Sequence, residues 1–282
     1  MLQIRGVEKN YPKFHLGPVD LDLPEGYIMG LVGENGAGKS TLIHSIMNLL
    51  PPEVGTVELF GRTYAKDEIY IKNQIGFVYE ENCFHDRLTP KAMSNLLRLS
   101  YPSWDETTYQ RLMKQFGIDE KPLNKLSKGQ KAAFAFITAL SHGAKLLVLD
   151  EPTSGLDPIV RREMLDELRR YVEPGGRSVL FSTLITSDLE QVADLITFIH
   201  QGKIIFTQDV EELRSNFHII KGSPEAIKTI PLLGQQARQT HVQGLYQGSI
   251  EALDVSQLAV ETASLEDIMY YLKRGDQNET HA

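Results

Sequence analysis

Eight consecutive residues, Gly33-Glu-Asn-Gly-Ala-Gly-Lys-Ser40, constrain what this chain can fold into more than any others. They match the phosphate-loop pattern G-x-x-x-x-G-K-S/T at every fixed position. Before them, residues 27–32 form a short apolar run that reads as a buried strand. After them, Leu42, Ile43, Ile46, Leu49 and Leu50 recur at helical spacing until Pro51-Pro52 stops the helix. Such a loop needs glycines, because backbone N–H groups must turn inward around phosphate oxygens. The following helix directs its N-terminus at the same negative charge. Lys39 is placed to reach the β- and γ-phosphates of a nucleotide and Ser40 to ligate Mg²⁺. Asn35, Gly36, Gly38 and Thr41 complete the expected nucleotide-binding set.

A second run, Leu146-Leu-Val-Leu-Asp-Glu151, is an apolar strand ending in two carboxylates. A charged pair at the end of a buried strand is costly unless a cation or substrate uses it. Asp150 is expected to hold Mg²⁺, directly or through water, and Glu151 to polarise an attacking water. The competing reading is a structural salt bridge. Between the loop and this pair lies a helical block. Thr89 can cap a first helix with Pro90 at its first position. Residues 105–116 form a second helix closed by Gly117. Ser127 can cap a third, running to about His142.

Residues 145–149 and 178–182 are strand-like, with a helix around 164–171 between them. Strands separated by helices imply an α/β fold with a parallel sheet covered on both faces. Residues 195–200 and 203–207, joined at Gln201-Gly202, suggest a hairpin near the sheet edge. After Leu213 the texture changes, with Gly222, Pro224, Pro231 and Gly234 as breakers. Residues 241–254 suit short strands. Ser264-Leu-Glu-Asp267 suits a capping box ahead of an apolar face of Leu265, Ile268, Met269 and Leu272. That last helix either packs on its own chain or contacts a second copy. The chain therefore reads as a domain of residues 1–214, with a helical part at about 88–143, and a small accessory domain of residues 215–282.

Composition narrows the function. The formal charge is −8 over 282 residues, with no Lys/Arg cluster, which disfavours nucleic acid as a partner. Cys83 is the only cysteine, so no intrachain disulfide can form. No apolar run approaches the roughly 20 residues of a membrane span, so a membrane role would come through a partner. Residues 1–5 turn polar at once, unlike a secretory signal. The eight histidines are scattered and suggest no metal cage.

Between the loop and the acidic pair lies Leu126-Ser-Lys-Gly-Gln130. With that stretch in place, residues 2–210 resemble the ATP-binding cassette (ABC) family, specifically transporter ATPase subunits. The resemblance implies a P-loop NTPase, ABC ATPase domain. It would have a RecA-like parallel core, an antiparallel β subdomain and an inserted helical subdomain, here with a small α+β C-terminal extension. It implies ATP and Mg²⁺, and a homodimer in which two cassettes join head to tail. Tyr11 falls where the family stacks an aromatic ring on adenine. Ser127, Gly129 and Gln130 would face the γ-phosphate held by the opposite copy, and Ser154-Gly-Leu-Asp157 would couple the two sites. Lys128 stands where many relatives have Gly. A separate polytopic membrane subunit would dock between Tyr79 and Leu88, placing the chain at the cytoplasmic face of the cell membrane. Residues 154–158, Tyr101-Pro-Ser-Trp-Asp105 and residues 265–268 resemble a Gram-positive exporter branch that includes ATPases for antimicrobial or amphipathic peptides, such as phenol-soluble modulin exporters. A soluble ABC protein acting on ribosomes or DNA, and a subunit that binds ATP with little or no hydrolysis, are the alternatives.

Two positions depart from the family pattern. Glu80 stands where Gln is usual, and a carboxylate there can still ligate Mg²⁺ or hold water. Leu184 occupies the position of a histidine that contacts the γ-phosphate and positions the catalytic glutamate. A leucine side chain neither donates nor accepts a hydrogen bond. It could be an engineered trap, a natural low-turnover site, or a site rescued by another residue. ATP binding should survive it, since the loop, Lys39, Asp150 and residues 126–130 are intact. If the missing donor limits turnover, Leu184→His raises phosphate release at least about tenfold, because one transition-state donor is commonly worth about 10²–10³ in rate. Equal rates for the two proteins would reject that explanation.

Overall fold

Residues 2–23 alternate inward apolar and outward polar side chains, and they fold as a hairpin of β1 (Leu2–Tyr11) and β2 (Phe14–Leu23). The structure is a computed structural model that describes residues 1–79, 84–238 and 240–279. The apolar β3 (Ile28–Val32) is buried at every position, as a central parallel strand must be. The glycine loop leads straight into α1 (Lys39–Ile46). This helix ends sooner than the apolar spacing predicts. Asn48 takes a left-handed φ of 55°, and Leu49 and Leu50 are exposed instead of extending the buried face. There follow β4 (Val54–Leu59), α2 (Tyr64–Asn73) and β5 (Ile75–Val78).

The helical insert forms where the capping residues place it. Thr89 accepts from the Ala92 N–H to start α3 (Pro90–Ser100), and Asp105 accepts from Thr108 to start α4 (Glu106–Gln115). At α5 (Lys128–Ser141) the capping box is complete. Ser127 Oγ accepts from the Gln130 N–H while Gln130 Oε1 accepts from the Ser127 N–H. The chain continues through β6 (Leu146–Asp150), α6 (Pro158–Val172), β7 (Ser178–Thr183), α7 (Thr186–Val192), β8 (Leu195–His200) and β9 (Lys203–Asp209).

Two sheets organise this part. The larger has the order β5-β6-β7-β3-β8-β9, with parallel pairing from β5 through β8; the smaller, β2-β1-β4, is antiparallel. The expected edge hairpin is β8–β9. Its turn uses Gln201 at φ 46° and Gly202 at φ 79°, and a Cβ on Gly202 would sit 1.9 Å from the His15 carbonyl oxygen. Only glycine fits there. One apolar core joins the two sheets, drawing Ile4, Val19, Leu31, Leu42, Ile75 and Leu146 together. An ion pair to a buried carboxylate then fastens the helical insert. Arg111 on α4 grips Glu167 on α6 with bonds of 2.9 and 2.8 Å. Burial pushes the Glu167 carboxyl up, but its hydrogen bond and charge pairing with Arg111 prevail and hold it below the usual range.

The described residues divide into two units, Met1–Thr207 and Gln208–Ala282. The second contains α8 (Val210–Asn216), β10 (Phe217–Gly222), α9 (Pro224–Ile227), β11 (Leu232–Ala237), β12 (Val242–Gln247), β13 (Ala259–Thr262) and α10 (Leu265–Glu279). Its strands form an antiparallel sheet of order β11-β12-β10-β13. Ser264 and Asp267 exchange the expected capping bonds, and α10 packs on β11 and β12 of its own chain. Leu265 and Ile268 are buried as expected, while Met269 and Leu272 are half-buried. Tyr271, absent from the expected face, is the largest side chain buried there, and its hydroxyl accepts from Gln243.

At the end of α5, His142 is buried with its ring 3.7 Å from that of Tyr101 and Nε2 3.1 Å from the Asn73 carbonyl. Burial pushes the imidazole from 6.5 down to about 4, only partly opposed by the Asn73 bond. The unfolded chain therefore takes up a proton before the folded one does. The stability this neutral ring contributes is whole above about pH 6.5 and is lost as pH falls toward about 4. Between pH 7 and 5 the wild-type chain should lose about 2 kcal/mol of unfolding free energy that a His142→Phe chain keeps. Urea unfolding at the two pH values measures the difference.

Candidate functional site

The register of three parallel strands brings the site together. β6 pairs with β7 so that Asp150 lies opposite Ser182, and β7 pairs with β3 so that Thr183 lies opposite Val32. The phosphate loop, Glu151 and Leu184 therefore all leave the sheet at one carboxyl edge, where α/β sheets bind ligands.

The loop is held open by its glycines. Gly36 and Gly38 have φ of 79° and 112°, and a Cβ on Gly33 would lie 2.3 Å from the Ile199 carbonyl oxygen. Lys39 is buried, its ammonium donating to the Gly33 carbonyl at 2.8 Å and the Glu34 carbonyl at 3.3 Å. The same ammonium stands 3.8 Å from Glu151 Oε1. Around it is a cleft of about 490 Å³ lined by Glu34, Asn35, Gly36, Gly38, Lys39, Ser40 and Thr41, with Lys13, Phe14, Glu151, Ser154 and Leu184. One buried cation, Lys39, beside a glycine-rich loop in an open cleft suits a polyanionic ligand.

Glu151 has φ 50°, an unusual conformation for a residue with a side chain, worth about 1–3 kcal/mol of local strain. Its carboxylate accepts from the Leu184 backbone N–H at 3.2 Å. Asp150 is buried beside it and accepts from the Ser182 hydroxyl. The Leu184 side chain is 45% exposed and forms part of the cleft wall. Behind the cleft, Asp188 on α7 is buried, accepts from the Thr153 hydroxyl at 2.8 Å and pairs with Arg161 at 3.0 Å. Burial pushes the Asp188 carboxyl up, opposed by Thr153 and by the Arg161 charge.

The 126–130 stretch is placed differently. Ser127 and Lys128 are exposed at the start of α5, and none of residues 126–130 is among the described residues lining the cleft. They adjoin the 154–157 turn instead. The Lys128 side chain runs along Gly155, and Leu156 packs beside Gly129. Asp157 caps α6 by accepting from the Ile159 and Val160 N–H groups. Gln130 completes the capping box and donates weakly to the Gly117 carbonyl.

Tyr11 is 37% exposed and does not line the cleft. Its cross-strand partner Phe14 does, with the two rings 6.3 Å apart. Phe14, Lys13, Thr153 and Asp188 escaped the sequence reading. The hairpin register that puts Phe14 opposite Tyr11 could have revealed the first; Asp188 carries no motif of its own. Glu80 and Cys83 lie outside the described residues. At the borders of the expected docking segment, Tyr79 bonds His44 at 2.6 Å and the Leu88 carbonyl accepts from the Leu123 N–H.

Residues 16–154 match the ABC transporter family model. The lantibiotic transport ATP-binding protein SrtF of Streptococcus pyogenes is 32% identical over 230 residues, covering 77% of this chain and 96% of that protein. The bacitracin transport ATP-binding protein BcrA of Enterococcus faecalis is 30% identical, covering 69% of this chain and 64% of its own. Among solved structures, an ATP-binding subunit of an ABC transporter superposes with a TM-score of 0.70 at 25% identity, covering 76% of this chain and 92% of that one. The dimeric cassette MJ0796 bound to ADP and Pi shares the fold, with a TM-score of 0.67 at 21% identity and coverage of 74% and 99%.

If Phe14 is the ring that meets the base, Phe14→Ala weakens binding of a fluorescent ATP analogue by at least about tenfold, as expected for loss of one aromatic stacking partner. Tyr11→Ala should cost less. The reverse order would return the stacking role to Tyr11.

Proposed function

The chain belongs to the ATP-binding proteins of ABC transporters, and from that membership we propose that two copies close head to tail around two ATP and drive a separate membrane subunit. Its activity is ATP hydrolysis, and the fold is the ATP-binding cassette. The observation that carries the paired arrangement is the division of motifs. The cleft contains the phosphate loop, Glu151 and Ser154, whereas none of residues 126–130 lines it; they lie against Gly155 and Leu156, with Ser127 exposed at a helix N-terminus. A helix N-terminus with an exposed hydroxyl is a second anion site. A second copy would bring that site to the γ-phosphate over the first copy's loop.

Within each cleft the roles follow from chemistry. The loop N–H groups and Lys39 cradle the phosphates. Phe14 and Tyr11 offer aromatic faces for adenine. Ser40 and Asp150 supply the hard oxygen donors that suit Mg²⁺, which takes one or two carboxylates and keeps several waters. When bound, the ion neutralises charge on the phosphates. Glu80 is a further candidate donor. Glu151 accepts the proton of the attacking water, and its ion pair with Lys39 and its bond from Leu184 set its orientation. ADP lacks the group that bridges the two copies, so hydrolysis releases them.

Among the described residues no helix is long and apolar enough to cross a membrane. In this reading the membrane subunit is a separate chain, docking at the segment from Tyr79 to Leu88 and holding this subunit at the cytoplasmic face. The relatives named for lantibiotic and bacitracin transport support export of peptide or amphipathic cargo.

A Glu151→Gln chain should bind ATP but not cleave it. Light scattering should then show a dimer with ATP and Mg²⁺ and a monomer with ADP. A chain that stays monomeric in ATP, or that hydrolyses ATP at the wild-type rate, rejects the proposal.

A further inference from the structure

A leucine side chain at position 184 cannot hydrogen-bond, yet residue 184 does touch the carboxylate at the centre of the cleft. Its main-chain N–H donates to Glu151 Oε2 at 3.2 Å, while its side chain forms cleft wall. That bond needs two separate turns to keep their relative position. One leaves β6 and carries Glu151 and Thr153. The other leaves β7 and carries Leu184 into α7.

A buried cluster ties these two turns together. The Thr153 hydroxyl donates to Asp188 Oδ2 at 2.8 Å, and Arg161 of α6 meets Asp188 Oδ1 at 3.0 Å. Thr153 is 1% exposed and Asp188 2%, so neither faces the cleft. A buried carboxylate is costly unless paired and hydrogen-bonded, so the cluster resists separation of the two turns. The Glu151 N–H adds a bond of 3.0 Å to the Ser182 carbonyl, fixing the other end of the same residue.

We infer that the main-chain N–H of Leu184 orients Glu151 where a side-chain donor is missing, and that Thr153, Asp188 and Arg161 are positioning residues that hold this N–H in place. The inference rests on the reading of Glu151 as the catalytic carboxylate. A backbone donor is indifferent to the side chain it carries, so leucine at this position is compatible with turnover. Misplacing a reacting group by about 1 Å commonly costs about 10²-fold in rate. The cluster therefore acts on kcat and leaves nucleotide affinity alone.

The test uses the full chain, with phosphate release and binding of a fluorescent ATP analogue measured side by side. Thr153→Val preserves shape but removes the donor to Asp188. It should lower kcat at least about tenfold with ATP affinity within about twofold, and Thr153→Ser should recover most of the rate. Leu184→Pro deletes the N–H that Leu184→Ala keeps, so the proline chain should turn over at least about tenfold more slowly than the alanine chain. Should the proline chain not fold, the Thr153 pair decides. Wild-type kcat in Thr153→Val, or equal losses of kcat and ATP affinity, overturns the inference. Equal rates for folded proline and alanine chains do the same. Glu151→Gln is the control: undiminished turnover there defeats the catalytic reading itself, whereas a dead Glu151→Gln beside a fully active Thr153→Val defeats only this inference.

Discussion

The parallel register of β6, β7 and β3 is the constraint on which the site depends. It sets Asp150 beside Ser182 and Thr183 beside Val32, so three chain segments emerge together at one sheet edge. From that edge Lys39 turns back over its own loop, Glu151 bends out at a positive φ, and the Leu184 N–H meets the Glu151 carboxylate. In a parallel sheet buried on both faces a one-residue slip would carry every side chain to the opposite face, into a core packed for a different shape. The burial of β3, β6 and β7 thus secures the geometry of the polar groups at their ends.

The structure also fixes buried carboxylates by pairing each with a partly exposed arginine. Glu167 anchors the helical insert through Arg111, and Asp188 links the turns after β6 and β7 through Thr153 and Arg161. Such pairs add little net stability when compared with apolar replacements. Their use is positional: each is costly to break and joins segments distant in sequence. Residues 126–130 meet the 154–157 turn through the Lys128 stem, for which Gly155 leaves room.

The family membership and the geometry divide the explanation between them. Membership accounts for ATP hydrolysis and for service to a transporter. Geometry shows how residue 184 meets Glu151 despite its apolar side chain, since the contact runs through the main chain. It also moves attention from Tyr11 to Phe14, because Phe14 lines the cleft and Tyr11 does not.

Local patterns carried much of this in the sequence. The phosphate loop, the Asp150–Glu151 pair, the Ser127 helix cap and the Gln201–Gly202 hairpin were legible, because each depends on neighbours within a few residues. The same holds for Ser264 and Asp267 at α10. The end of α1 was not legible, since Leu49 and Leu50 keep helical spacing while Asn48 turns the backbone away. Nor were Tyr271 under the last sheet, Phe14 at the cleft, or the Thr153–Asp188–Arg161 cluster, whose members are up to 35 residues apart. By itself the sequence determined the cradle, the charges it would hold and the chemistry they permit. Tertiary structure alone decided which group touches Glu151, because strand register and buried pairing set distances between residues that no spacing along the chain encodes.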